Sequence, residues 1–343
     1  MKTKRINVNA ILVLMSSSIL VSPTLWSDGL AGEAAYKAVN QFIGTGGHGH
    51  TFPGATTPNG MVQLSPDTRN LGWDACGGYH YSDSSILGFS HTHLSGTGIG
   101  DLGDILFMPF TGEAQIKSGT PEDPDSGFRS RFSHESELAE PGYYKVHLDD
   151  DDIDVELTAS PRVGFHRYTF PEKAGASLVI DLAHTIHGHR NPVTELRVIN
   201  EYEIEGYKRS RGWAQNHHVY FHAKFDRPFT CELYENGQVL PGKWSVASGN
   251  SQAVLRFAEG ETATVQAKVG ISSVDFDGAR KNLEAEILDW NFDKVRENAK
   301  TAWVHQLNQI QIKGGSADDR TIFYTSLYHT SISPYLFNDV DGR

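Results

Sequence analysis

From Gly142 to Gly270 the chain alternates apolar and polar residues with period two, and this pattern restricts its fold more than any other feature. Tyr144, Val146 and Leu148 alternate with Lys145 and His147, and Ile153, Val155 and Leu157 alternate with Asp154, Glu156 and Thr158. Successive side chains of a strand point to opposite faces, so such alternation predicts strands with one face on a core and one in water. Val163–Phe170 continues the series between Pro161 and Pro171. Further strands are expected at Leu178–Leu182, Leu196–Glu203, His218–Phe225, Ala253–Phe257 and Thr262–Gly270. Glu235-Asn236-Gly237 and Ala258-Glu259-Gly260 read as hairpin turns. Many short strands with no helical period between them predict a mainly β chain built on an antiparallel β-sandwich.

Helical periodicity begins only at Asp277. Leu283, Ile287, Phe292, Val295, Ala299, Trp303 and Leu307 fall mostly three or four apart, which predicts two helices meeting near Trp290-Asn291. Ser316-Ala317-Asp318-Asp319 has the form of a capping box and opens a third helix that stops before Pro334. With no partner evident for Phe323, Leu327 and Tyr328, this last helix is expected to be mobile. The expected organisation is a leader over 1–27, a β-sandwich over 34–275, a helical linker over 276–312 and a further helical segment over 313–343.

Composition narrows the partners. The 343 residues carry a formal net charge of −12, and Lys2, Lys4 and Arg5 are the only charges in residues 1–27, so without them the balance is −15. A surface this acidic repels phosphate backbones, which argues against nucleic acid. The same three cations precede a short apolar run from Ala10 to Val21, followed by small residues at Ser27, Ala31 and Gly32. That is the layout of a secretory signal peptide, too short to span a bilayer. The mature chain is therefore expected to be periplasmic or secreted, with no membrane association after cleavage. Cys76 and Cys231 sit in unlike surroundings and read as two free thiols.

Gly44–Asp104 differs from everything after it. It is dense in glycine and proline, with Trp, Tyr, His and Asp interleaved, the mixture of a rigid loop surface for a polar ring compound such as a sugar. Trp73-Asp74 is its sharpest feature. An indole can stack on the C–H side of a pyranose while the neighbouring carboxylate takes hydroxyls; the other reading is a tryptophan buried in a loop core. His48/His50 and His91/His93 are paired at i, i+2, a spacing used by zinc sites with a third ligand from elsewhere, but no carboxylate or third histidine stands at a diagnostic spacing. Sugar-contacting or structural histidines are the alternative. His184, His187 and His189 near Arg190 read as a loop off a strand end, and Asp149–Asp152 as a solvated turn, since no calcium-loop spacing follows. There is no phosphate-binding Gly-Lys-Ser/Thr and no Gly-x-Ser-x-Gly elbow.

Several blocks resemble glycoside hydrolase family 92, the bacterial α-mannosidases: Asn40–Gly47, Thr51–Ala55, Gly60–Asp67, Tyr79-His80-Tyr81 and Gly88–Gly96, with Phe323–His329 and Phe337–Arg343 similar to the start of that family's helical domain. The resemblance implies a β-sandwich packed on an (α/α)6 barrel. It also implies a Ca²⁺-dependent, exo-acting, inverting α-mannosidase, commonly of α-1,2 links, acting on mannose-containing glycans. The family's catalytic carboxylates and calcium ligands belong to a helical domain that runs past residue 343. The chain thus reads as the N-terminal portion of a longer enzyme, with no catalytic acid or metal ligand of its own to name and no activity expected alone. What carries over is a share of the sugar pocket: Trp73, Asp74, Cys76, His91 and His93. A non-catalytic carbohydrate-binding sandwich is the second reading, and a metal hydrolase using paired histidines the third.

Overall fold

The computed structural model describes residues 24–172, 175–258 and 263–343. The expected leader lies almost wholly outside the described residues, as does most of the turn at Ala258–Gly260. Two antiparallel sheets face one another. The first runs, edge to edge, through Ala55–Thr56, Gln63–Asp67, Gly88–Ser90, Leu106–Phe110, Ser177–Asp181, Ser251–Phe257, Phe229–Glu235 and Gln238–Val239. The second runs through Ser245–Ser248, Arg190–Asn200, Glu203–Arg211, His217–Phe225, Thr264–Ser272, Val163–Thr169, Ile153–Ala159, Tyr143–Leu148 and Leu138–Glu140. Their inner faces interleave Phe107, Val179 and Leu255 with Val155, Tyr168, Phe225 and Val269, and the Phe107 and Phe225 rings lie parallel across the gap at 6.4 Å. The expected sandwich is present.

Most strands fall where the alternation places them. Leu196–Glu203 does not: it is a hairpin of Arg190–Asn200 and Glu203–Arg211, turning through Glu201-Tyr202. The second arm escaped the sequence reading because its inward face continues from Ile204 through Gly206, Lys208 and Ser210, while Glu205 is buried on the opposite face, so its polar pattern conceals the burial. Asn236 and Gly237 take positive φ at 48° and 77°, as a two-residue hairpin turn between Phe229–Glu235 and Gln238–Val239 requires. Both cysteines are free. Among the described residues no helix is long and apolar enough to cross a membrane.

Four α-helices are present among the described residues: α1 (Thr24–Ala38), α2 (Phe276–Glu286), α3 (Phe292–Leu307) and α4 (Ala317–Thr330). Asp275 caps α2 through the Gly278 amide, and Asn291 caps α3 through that of Lys294, which sets the break between them. Both lie on the outer face of the second sheet. Leu283, Ile287, Phe292 and Val295 cover Tyr143, Val163 and Phe165, so the strand Val163–Thr169 is buried on both faces. The segment Ala34–Phe42, read from sequence only as mixed, contains the end of α1.

The expectation of a mobile last helix is corrected. The Ser316–Asp319 capping box forms as expected, but Tyr324 and Tyr328 of α4 pack into a second core with Ala35 and Tyr36 of α1, Trp303 and Leu307 of α3, and Phe52. The partner is an N-terminal helix more than 280 residues away, which no local pattern announces. At its centre Trp303 is fully buried, its indole N–H donates to the Thr56 carbonyl at 2.6 Å, and its ring packs on Tyr328 at 4.6 Å. Trp303→Ala is expected to cost about 3–5 kcal/mol in denaturant unfolding. Hydrogen exchange should find the Tyr324–Tyr328 amides protected in the wild-type chain and unprotected in the variant.

Candidate functional site

The helices position the glycine-rich loop. The Asn40 amide donates to Thr325 Oγ1 at 2.9 Å, Tyr328 Oη donates to Gln41 Oε1 at 2.9 Å, and His329 Nε2 lies 3.2 Å from the Ile43 carbonyl. The segment entering the loop is thus fixed to α4. The loop then doubles back so tightly that a Cβ at Gly49 would stand 2.1 Å from the Gly44 carbonyl oxygen, which only glycine permits. This turn brings His48 and His50 to the single 3₁₀ turn Trp73–Ala75.

There His48 Nδ1 lies 2.6 Å and His50 Nε2 3.4 Å from the same oxygen, Asp74 Oδ1. The hydrogen bond from His48 is the main reason that the Asp74 carboxyl is held below its ordinary range. Trp73 is 56% exposed, and its indole meets the His50 ring edge-on at 5.2 Å. Cys76 is buried beneath: its thiol donates to the Trp73 carbonyl at 3.1 Å and lies 3.7 Å from His187 Nε2. Burial, with the charge of Asp74, pushes that thiol's pKa up, so it is a poor nucleophile and its role is to pack and orient the turn.

Trp73 and Asp74 therefore reach one surface, whereas Cys76, 1% exposed, lies beneath it and is corrected from a sugar-contacting group to a buried one. His91 and His93 are not with them. They follow the strand Gly88–Ser90 and are 0% and 2% exposed, His91 packed against Phe107 and His166 and His93 against Phe52. As sugar-contacting groups they are corrected: both are structural. Tyr168 Oη donates to His166 Nδ1 at 2.8 Å, the two Nε2 atoms of His166 and His91 are 3.0 Å apart, and His91 Nδ1 is 2.7 Å from the Ile105 carbonyl. A carbonyl only accepts, so His91 carries its proton on Nδ1 and His166 on Nε2, and the relay is complete with both rings neutral. His93 Nδ1 faces the Gln63 carbonyl at 2.7 Å and its Nε2 faces Asp67 Oδ1 at 2.8 Å, while Asp67 Oδ2 takes His184 Nε2 at 2.8 Å.

Beside the Trp73 turn a cleft of about 780 Å³ is lined by residues that include His189, Arg190, Arg211 and Gln215. His187 reaches from the same loop to Cys76, and Trp213, 71% exposed, follows the lining residue Gly212. The sequence reading took His184, His187 and His189 for a plain loop and did not single out Arg211 or Trp213. Their only sequence signal was an aromatic residue beside glycine in an otherwise basic stretch. It also found no third ligand for His48 and His50. The fold brings Asp74, a carboxylate, to both rings.

The model of the glycosyl hydrolase family 92 N-terminal domain matches residues 38–272, and that of the family's catalytic domain matches residues 278–343. A protein described as an uncharacterized secreted glycosidase of Arthroderma benhamiae is 28% identical over 87% of this chain and 41% of its own length. The family 92 α-mannosidase of Bacteroides thetaiotaomicron solved with mannoimidazole is 38% identical, with a TM-score of 0.86, over 90% of this chain and 41% of that one. An inverting mannosidase of the same family and species is 25% identical, with a TM-score of 0.77, over 90% and 41%. The chain thus spans about two fifths of the length of these relatives.

The neutral relay makes stability pH-dependent. Burial pushes His91 down to about 4 and His166 well below its ordinary value. A histidine with a depressed folded pKa binds its proton first in the unfolded state, so its stability is intact above about 6.5 and is lost as pH falls towards about 4. In the same window His217, raised by Asp104 against the opposing effect of burial, contributes in the other sense. We expect a net loss of up to about 3 kcal/mol on acidification from pH 7 to 4.5. His166→Phe, which keeps the stacking on Phe107, should flatten that slope in denaturant titrations at several pH values.

Proposed function

The chain belongs to glycosyl hydrolase family 92, and from this membership we propose that it supplies the β-sandwich wall of an exo-acting, inverting α-mannosidase working on mannose-containing glycans outside the cytoplasm. The observation that carries the reading is the match to the mannoimidazole-bound α-mannosidase across nine tenths of this chain; the family's N-terminal domain, matched over residues 38–272, includes the Trp73 turn. The exposed indole beside a carboxylate and an open cleft is the chemistry such a wall needs. Trp73 offers its face to the C–H side of a pyranose, and Asp74, whose Oδ1 takes both histidines, would receive a hydroxyl on Oδ2. The ring of His50 packs edge-on against the indole and the Cys76 thiol bonds the Trp73 carbonyl, so little freedom is lost on binding.

Inversion requires one carboxylic acid to protonate the leaving oxygen and one carboxylate to activate water, roughly 6.5–9.5 Å apart. We assign neither role within this chain. The proposed preference for α-1,2 links and the proposed α-helical barrel, with α4 as its first helix, rest on the family alone. So does the proposed calcium requirement. Among the described residues the one group able to ligate a metal is His48, His50 and Asp74. Two of its three donors are imidazole nitrogens, whereas calcium takes six to eight oxygens. The described residues of this chain therefore do not fit calcium.

Full-length protein should release mannose from an α-mannoside, with β-mannose the first anomer seen by NMR, whereas the 343-residue chain alone should turn over nothing. Retention of configuration, or sugar binding without turnover by the full-length protein, would overturn the reading. Trp73→Ala in the full-length protein is expected to cost about 1–3 kcal/mol in kcat/KM, with little change in Tm because the indole is more than half exposed. A sharp fall in Tm with kcat/KM per folded molecule unchanged would make Trp73 a packing residue.

A further inference from the structure

We propose that His48 Nδ1, His50 Nε2 and Asp74 Oδ1 form a binding site for a divalent transition-metal ion of the zinc class, which ties the glycine-rich loop to the Trp73 turn. The three ligand atoms lie within 4.8 Å of one another. In a tetrahedral zinc site with bonds of about 2.0–2.2 Å, neighbouring ligands are roughly 3.3–3.6 Å apart. The His50–Asp74 separation of 3.4 Å already has that value, and the 2.6 Å between His48 and Asp74 must open by less than an ångström. His48 can make that adjustment, because its side chain is 77% exposed.

The setting of His50 suits a ligand. Its Nδ1 lies 2.8 Å from the Thr97 carbonyl oxygen, which can only accept, so Nδ1 carries a proton and Nε2 is the atom turned towards Asp74, at 3.4 Å. A backbone carbonyl on the far nitrogen is one of the usual ways in which a metal-bound imidazole is oriented. His50 is nearly fully buried, with the Trp73 indole against its edge, so Nε2 is held in that direction. Two imidazole nitrogens and one carboxylate oxygen suit zinc and its neighbours in the first transition row. A fourth position remains for water or a hydroxyl. The ion would fix Trp73 by closing a loop between residues 48 and 74, and this holds whatever sugar the indole meets.

The test uses the 343-residue chain, stripped with chelator and then titrated with Zn²⁺ alone. Affinity is read by competition with a chromophoric chelator, stoichiometry by elemental analysis, and stabilisation by Tm. We expect one zinc per chain and a rise in Tm on binding. His48→Ala and Asp74→Asn should each weaken binding by at least about 100-fold, since each removes a ligand outright, more than the 10–100-fold of an outer-sphere change. His305→Ala, at an exposed histidine on α3, should bind as the wild type does. His48→Ala removes an exposed side chain, so its folding is not at issue and its circular dichroism should be unchanged. The proposal is overturned if no stoichiometric zinc is taken up. It is equally overturned if either ligand variant keeps wild-type affinity, or if His305→Ala loses as much.

Discussion

The hydrogen bond from the buried Trp303 indole to the Thr56 carbonyl is the contact on which the arrangement of this chain depends. Thr56 lies in the first edge strand of the sandwich and Trp303 in the third helix, 247 residues later. An indole N–H with no partner would be costly in that position. With the Thr56 carbonyl as acceptor, the ring is committed to one pose and offers its face to Tyr328. α1 and α4 then close around it. The same packing holds residues 40–43 through Thr325, Tyr328 and His329, and so determines where the glycine-rich loop begins.

Charged groups inside the sandwich perform the corresponding task for the loops at its other strand ends. Asp67 sits between His93 and His184, and Asp104 between Lys208 and His217, both carboxylates fully buried. Desolvation opposes their ionisation, but attraction to and hydrogen bonds from His93 and His184, and from Lys208 and His217, outweigh it and hold both carboxyls well below their ordinary range. Such pairs add little net stability compared with apolar packing, and are costly to break on one side. What they provide is register. Asp67 joins the strand before the Trp73 turn to the loop bearing His187, and Lys208 donates to the His184 carbonyl from the opposite sheet. The loops carrying Trp73, Asp74, Cys76 and His187 are thereby anchored on both sides to rigid elements.

The candidate surface is consequently stiff beneath and open above. His50 supports the indole from inside and Cys76 the Trp73 backbone, whereas Trp73 and Trp213 stand in solvent, the latter next to Gly212 of a cleft bordered by arginines. A ligand surface of this kind loses little freedom when a ring stacks on it. Its recognition is then decided by which polar atoms face the bound ring.

The sandwich itself was written in the sequence, because alternation is a local property and each strand states its own buried face. The same holds for the α2–α3 break and the α4 capping box, which depend on neighbouring residues. The Glu203–Arg211 strand was hidden because polar residues are buried on both its faces, and they make sense only beside Asp104 for the inward Lys208 and beside His222 for the outward Glu205. The loop residues Trp73, Asp74 and Cys76 were legible as a cluster since they adjoin in the chain. The misplacement of His91 and His93 has a simple physical reason: i, i+2 spacing fixes a shared face but not whether it looks inward or outward. Only tertiary structure could set His50 Nε2 against Asp74, bury His91 against His166, and bring a helix before residue 38 onto one after residue 317. Those contacts join residues 24 to nearly 300 positions apart, where composition and periodicity carry no information about distance.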